Sequence, residues 1–345
     1  MSTLAAWWRG RGIGHIPEPP RRIHRAREAE RPVTAVEEES IGANNAEVAL
    51  RQFISFALDE KRADTPGREE LALLEPMIQA ASAAISRLEV QAKYLPRRPS
   101  LLPRLLSAMN SDGNSMRDLA AIIKGDPTLL GNLLRVANSV FYRVSDKPVE
   151  SLERAVTMVG TDGIRSVIAT ALVHPVMATG SGWFARFPET IWEQTQYAAD
   201  AAEAYAQSVE RVDGFHARML ALVHGLATNT VFRIVRDEVL TGRSEAAKPA
   251  VAKLLDQWVA PTARRIAASW DLPPELQFVL ESPTDQSPLG RALFFGRLAG
   301  SQVVMVRRGR VKETSARATV LASGSQRMQM DRLWGRIAAS CLQPG

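Results

Sequence analysis

The chain has 345 residues, 46% of them hydrophobic, and a formal net charge of +6, enough apolar material for one large or two medium domains. Its single cysteine, Cys341, excludes an intrachain disulfide framework and a cysteine-rich zinc site, and no run reaches about 18 consecutive apolar residues, which excludes a spanning helix. From Gln286 onward ten bases face only Glu313 and Asp331, a net +8 that leaves −2 for the rest, so the basic character belongs to the C-terminal region and could meet nucleic acid, an acidic protein or a membrane surface.

In chain order, the opening "MSTLAAWWRGRG" lacks the apolar core of a signal peptide, and the expected location is the cytoplasm. Residues 1–44 are charged and proline-rich with few apolar anchors, which predicts a disordered tail. Residues 46–60 predict an amphipathic helix with Ala49, Leu50, Phe53, Ala57 and Leu58 on one stripe. A helix over 68–94 follows, with Pro76 inside it and a heptad-like seam through Leu71, Leu74, Ile78, Ala81, Ile85, Leu88 and Ala92. So short a seam fits packing on the chain's own domain better than a dimer.

Sharper punctuation begins at Leu95. Asp126 and Pro127 start a helix through "TLLGNLLRVANS". Ser151 caps "LERAVTMVG", which ends at Gly160, and Thr161 caps the next helix. After the linker "GSGWFARFP", helices are expected at 188–209, 214–240, 245–259, 261–270, 274–281 and 288–308, then a polar loop over 311–325. The last helix, "RMQMDRLWGRIAASCL", is expected to bury Met328, Leu333, Trp334 and Ile337. Alternating β-branched runs are almost lacking, so the fold class is all-α.

Several of these segments resemble the HDOD domain, a bacterial relative of the HD phosphohydrolases. The carrying stretches are "LPRRPSLLPRLL", "AAIIKGDPTLLGNLLRVANS", "PVESLERAVTMVG" and "IRSVIATAL", with "IWEQTQYAA", "ARMLALVHGLATNTVF" and "IAASWDLPPELQFVLESP" in register behind them. The resemblance covers about residues 95–300. It implies a multi-helix HD-like bundle in two helical subdomains, 95–180 and 188–308, within a domain over 95–308. A helical extension over 45–94 precedes it, and a basic tail and helix over 309–345 follow. It also implies bacterial signalling without catalysis.

An HD site holds divalent metal through histidines and an adjacent carboxylate, and the metal generates hydroxide near neutral pH. Here His224 is followed by Gly225, which supplies no charge. Where the resemblance would place a second histidine, two residues after Trp192, stands Gln194. Where it would place a histidine pair stand Glu281 and Ser282. Two ligands at best, His224 and Glu281, fall short of the three that a catalytic metal generally needs. His224 then reads as a core or pocket histidine, with Gly225 admitting a closely packed neighbour helix.

Other templates fit less well. Cys341 has no evident histidine partner, no G-x-S-x-G or Walker loop is present, and "GRGIGH" at 10–15 follows no strand. In "RVANS", Arg135 and Asn138 either face a cleft or, as we favour for Asn138 and Ser139, end a helix.

The sequence therefore predicts a non-catalytic regulatory protein acting through a protein partner, without cofactor, and with a homodimer as one form it could take. Its candidate cleft residues are Arg135, Asn138, Gln194 and His224. Two alternatives stand beside this: a divergent metal-dependent phosphohydrolase of nucleotides, and nucleic-acid binding through the basic C-terminal region.

Overall fold

Polar caps set several helix starts. The computed structural model describes residues 35–58, 68–87, 94–100, 102–103, 120–121, 123–124, 130–131, 133–134, 137–138, 148–173, 186–238, 248–282, 286–324 and 326–341. In it, Ser151 Oγ accepts from the Arg154 N–H (3.3 Å), Asp213 Oδ1 from the His216 N–H (3.1 Å), and Ser287 Oγ from the Gly290 N–H (3.0 Å). Each bond satisfies an amide that the first helical turn leaves without a partner.

The helices are α1 (Ala35–Ala57), α2 (Arg68–Ser86), α3 (Leu152–Val173), α4 (Arg186–Tyr205), α5 (Gly214–Glu238), α6 (Lys248–Ser269), α7 (Pro274–Glu281), α8 (Pro288–Arg307), α9 (Glu313–Ala322) and α10 (Arg327–Cys341). A π-helical segment, Ala206–Glu210, extends α4 and ends at Arg211 in the left-handed region. Gly160 divides α3 with φ 69°, a backbone state that glycine adopts without steric cost. Further helical residues lie between α2 and α3, at 102–103, 120–121, 123–124, 130–131, 133–134 and 137. Among the described residues there is no strand, and no helix is long and apolar enough to cross a membrane.

Four boundaries differ from the sequence reading. The first helix starts at Ala35, inside the expected tail, whose residues 1–34 lie outside those described. Helix α2 ends at Ser86 rather than near Tyr94. Helix α6 runs unbroken through Pro261. An interior proline is costly, but Leu254, Leu255 and Val259 before it and Ala263, Ile266 and Ala267 after it are all buried. Their shared packing against α5 and α7 holds the helix through the lost hydrogen bond. The expected polar loop over 311–325 contains α9, which buries only Ala316 and Val320, too thin a stripe to announce itself.

In the packed core α4 lies against α8 and α5, its two most extensive neighbours. Helix α6 packs on α5, and α7 on α6. Phe187 of α4 stacks on Phe232 of α5, ring centroids 4.2 Å apart, and Tyr205 stacks on Phe295 of α8 at 4.5 Å. Helix α3 docks on α5, α2 on α6 and α5, and α1 on α9 and α8. The α2 seam thus faces its own domain: Ile78, Ala81 and Ile85 are buried, and Trp258 Nε1 donates to Ser82 Oγ (3.0 Å). Trp270, fully buried, donates to the Pro96 carbonyl (2.9 Å) and pins the segment 94–100 to the end of α6. On α10 the buried methionine is Met330, while Met328 is 69% exposed. Leu333, Trp334 and Ile337 are buried as expected. The described residues from Ala35 onward form one compact unit.

Candidate functional site

One turn of α4 organises the region around His224. A Cβ on Gly225 of α5 would stand 2.0 Å from Thr195 Oγ1 and 2.5 Å from Thr195 Cγ2. Thr195 is fully buried and its hydroxyl donates to the Ile191 carbonyl (2.7 Å), so it has no free space to retreat into. On the other side, a Cβ on Gly296 of α8 would stand 2.5 Å from the Ala198 carbonyl oxygen. One on Gly300 would stand 2.6 Å from the Ala198 nitrogen and 2.8 Å from the Gln194 carbonyl oxygen. Helices α5 and α8 are therefore clamped onto the same stretch of α4, backbone against side chain or backbone. No carboxylate can stand at position 225 without parting α4 from α5.

The neighbours of these contact glycines are the polar residues of the site. Gln194 of α4 is buried and its Nε2 donates to the Arg297 carbonyl of α8 (3.2 Å). His224 and the Arg297 guanidinium are both partly exposed. Neither side chain makes a hydrogen bond or ion pair with any described residue. Burial, and then the charge of Arg297, push the His224 pKa well below its usual value, so the imidazole is neutral at pH 7. Burial also pushes Arg297 down, to about 10, against the opposing pull of Asp256 on α6.

Asn138 uses its amide on the chain itself. Its Nδ2 donates to the carbonyls of Leu134 and Val149 (both 2.8 Å), and its Oδ1 accepts from the Val149 N–H (2.7 Å). It fastens the approach to α3 onto the end of the preceding helical residues, as in the helix-end reading. Arg135 lies outside the residues whose placement is described, as does His174. Glu281 is exposed and pairs with Arg264 (2.8 Å). It borders an open groove of about 600 Å³ between α6 and α7, lined also by Leu95, Pro261, Arg265 and Gln277, but not by His224.

The donor set at His224 does not suit a metal ion. It offers one imidazole, an amide already bonded to a backbone carbonyl, no adjacent carboxylate, and a guanidinium close enough to repel a cation. Among the described residues no group of three His, Cys, Asp or Glu side chains could hold a metal.

Two ion-pair clusters were not legible in the sequence. Arg218 of α5, its side chain 9% exposed, donates through Nε to Glu203 (2.5 Å), through Nη2 to Asp200, and through Nη1 to Thr170 (3.1 Å). Ser166 Oγ donates to the same Glu203 (2.7 Å). Burial alone would lower the Arg218 pKa, but Glu203 and Asp200 hold it above its ordinary value. This cluster ties α3 to α4 and α5. A second set of pairs takes up four arginines of the basic C-terminal region. Arg291 forks onto Glu210 (2.8 and 2.5 Å), Arg307 (3.4 Å) and Arg308 (2.7 Å) both reach Glu193, and Arg317 forks onto Asp331 (2.7 and 2.8 Å). Arg310 lies over the Phe56 ring of α1. Sequence spacing gives no sign of Glu210 and Glu193 as partners, because they lie 81 and 115 residues from Arg291 and Arg308.

The HDOD domain family model matches residues 95–285. No curated protein matches the chain. Among solved structures, a "Putative metal-dependent phosphohydrolase" from Shewanella amazonensis is 18% identical, with a TM-score of 0.52, covering 76% of this chain and 98% of its own. An HDOD domain protein with unknown function from Geobacter sulfurreducens is likewise 18% identical, with a TM-score of 0.52, covering 78% and 96%. At that identity the likeness is one of fold. The family match takes in α3 to α7, the caps of α3 and α5 and the Trp270 anchor, and so the chain belongs to the HDOD domain family.

Proposed function

We propose that this protein is a non-catalytic regulatory module that works by binding a protein partner in bacterial signalling. The observation that carries the reading is the contact of Gly225 with Thr195. Where a metal-dependent hydrolase of this fold would need a carboxylate beside its histidine, this chain has helix packed on helix. The catalytic alternative loses its second ligand as well, since Glu281 is engaged with Arg264 at a groove that does not include His224. The nucleic-acid alternative is weakened because Arg291, Arg307, Arg308 and Arg317 already have carboxylate partners. Free phosphate-binding cations are what such binding requires. The reading places the protein in the cytoplasm, where the lone Cys341 stays reduced.

The test is elemental mass spectrometry of the untagged protein purified without chelator, followed by nucleotidase and phosphodiesterase assays with added Mn, Fe or Zn. The expected result is trace metal and no turnover. Stoichiometric metal with hydrolysis that disappears on His224→Ala would overturn the reading. Co-purification from the native cell then identifies the partner.

A further inference from the structure

We propose that Arg297 and His224 form a binding site for a compact oxyanion, a phosphate or carboxylate group carried by a small molecule. The geometry begins with the clamp described above. Gly225 and Gly300 fix α5 and α8 against one turn of α4, and His224 and Arg297 lie beside those contacts. Gln194, on that same turn, holds the Arg297 backbone through its carbonyl. The position of the guanidinium's own helix is therefore fixed from α4.

Among the described residues the Arg297 side chain has no hydrogen-bond or ion-pair partner. A guanidinium is the most persistent cation among the side chains, and it is seldom enclosed without a carboxylate or phosphate. Every other arginine of the C-terminal region described above has found a carboxylate or an aromatic face. Arg297 has only Asp256, an exposed residue on α6 that influences it at a distance without forming an ion pair. A half-buried guanidinium with no carboxylate within ion-pair reach keeps its fork open to an anion from solution.

His224 suits the same ligand. Held neutral by its surroundings, the imidazole keeps one N–H to donate without adding a second charge. The planar guanidinium fork matches the two oxygens of a carboxylate or phosphate. Both side chains remain partly exposed, which leaves an anion a path to them. A cation would be repelled by Arg297, and an apolar ligand would leave both groups unsatisfied. This site is independent of whether a protein partner binds elsewhere.

The experiment is calorimetric titration of the full-length protein with inorganic phosphate and with acetate, at constant ionic strength and pH 7.5. It is repeated for Arg297→Met, Asp256→Asn and the remote control Arg317→Gln. Saturable binding of one of the two anions is expected, and which one saturates identifies the group. Arg297→Met should weaken it about tenfold or more, the loss of a charge-assisted hydrogen bond, and should melt higher than wild type in the absence of anion. Asp256→Asn should tighten binding, because it removes the competing negative charge, and Arg317→Gln should leave it unchanged. Absence of saturable binding by either anion would overturn the proposal. So would equal affinity in wild type and Arg297→Met. If Arg297→Met fails to fold, an unchanged affinity in Asp256→Asn overturns it instead.

Discussion

At the scale of single residues, the question is what a side chain at position 225 would cost. Helix propensity alone favours alanine over glycine by about 1 kcal/mol. Overpacking a tight interior costs about 1–3 kcal/mol, and a contact at 2.0 Å to a fully buried Thr195 belongs at the upper end. Gly225→Ala should therefore lower stability, measured as a reduced midpoint in urea. Adding Thr195→Ala removes the two shortest contacts, Oγ1 and Cγ2, and the double variant should recover part of the loss. Strict additivity would refute the clash. His224 gives a second prediction. Its folded pKa lies well below the usual 6.5, so the unfolded chain takes up the proton first as pH falls. The stability it contributes is complete above about pH 6.5 and is lost as pH drops through that value toward the folded pKa. The slope of stability against pH between about 6.5 and 5 should flatten in His224→Gln. The sequence showed the missing carboxylate at 225 because that is a matter of residue identity. It was silent on Arg297, since an arginine on an apolar helix reads as a solvated face until its neighbours are placed.

Among elements, α3 is held to the rest by charge as much as by packing. Arg218 joins Glu203 and Asp200 of α4 to Thr170 of α3, with Ser166 completing the cluster. Removing Arg218 leaves Glu203, its side chain 12% exposed, uncompensated, a loss of about 3–5 kcal/mol. Arg218→Met should fall in that range, and hydrogen exchange should show α3 losing protection before α8 does. Equal loss throughout would mean that the cluster does not act locally. The start of α5, the start and kink of α3, and the limits of α7 and α8 were legible, because caps, glycine and proline act within a few residues. Helix α9 was not, because its two buried residues, Ala316 and Val320, form no stripe without α1 and α8 beside them. The continuity of α6 through Pro261 was hidden for a related reason: local rules favour a break, and packing overrides it.

On the scale of the whole molecule, the helices on either side of the family match are part of the same body. Helix α1 packs on α9 and α8, and α9 on α10. Trp334 of α10 is buried and its Nε1 donates to Glu313 of α9 (2.8 Å). Trp334→Ala should cost about 3–5 kcal/mol in a single cooperative transition. A separate low-temperature transition would instead show that the C-terminal helices fold on their own. Three bases of the C-terminal sixty residues, Arg291, Arg307 and Arg308, are tied inward to acids earlier in the chain, and truncating the region should destabilise the body rather than merely reduce its charge.

The sequence by itself determined the all-helical class, the family, most helix limits from 186 onward and the lack of a carboxylate beside His224. Each follows from residue identity or from contacts within a turn or two. Only the tertiary structure decided that Gly225 serves the packing of α5 on α4, that Arg291, Arg307 and Arg308 pair with Glu210 and Glu193, and that Arg297 is left beside a neutral His224. Those facts depend on which helices meet, and charge pairing and close approach between distant segments have no period or spacing for a sequence to display.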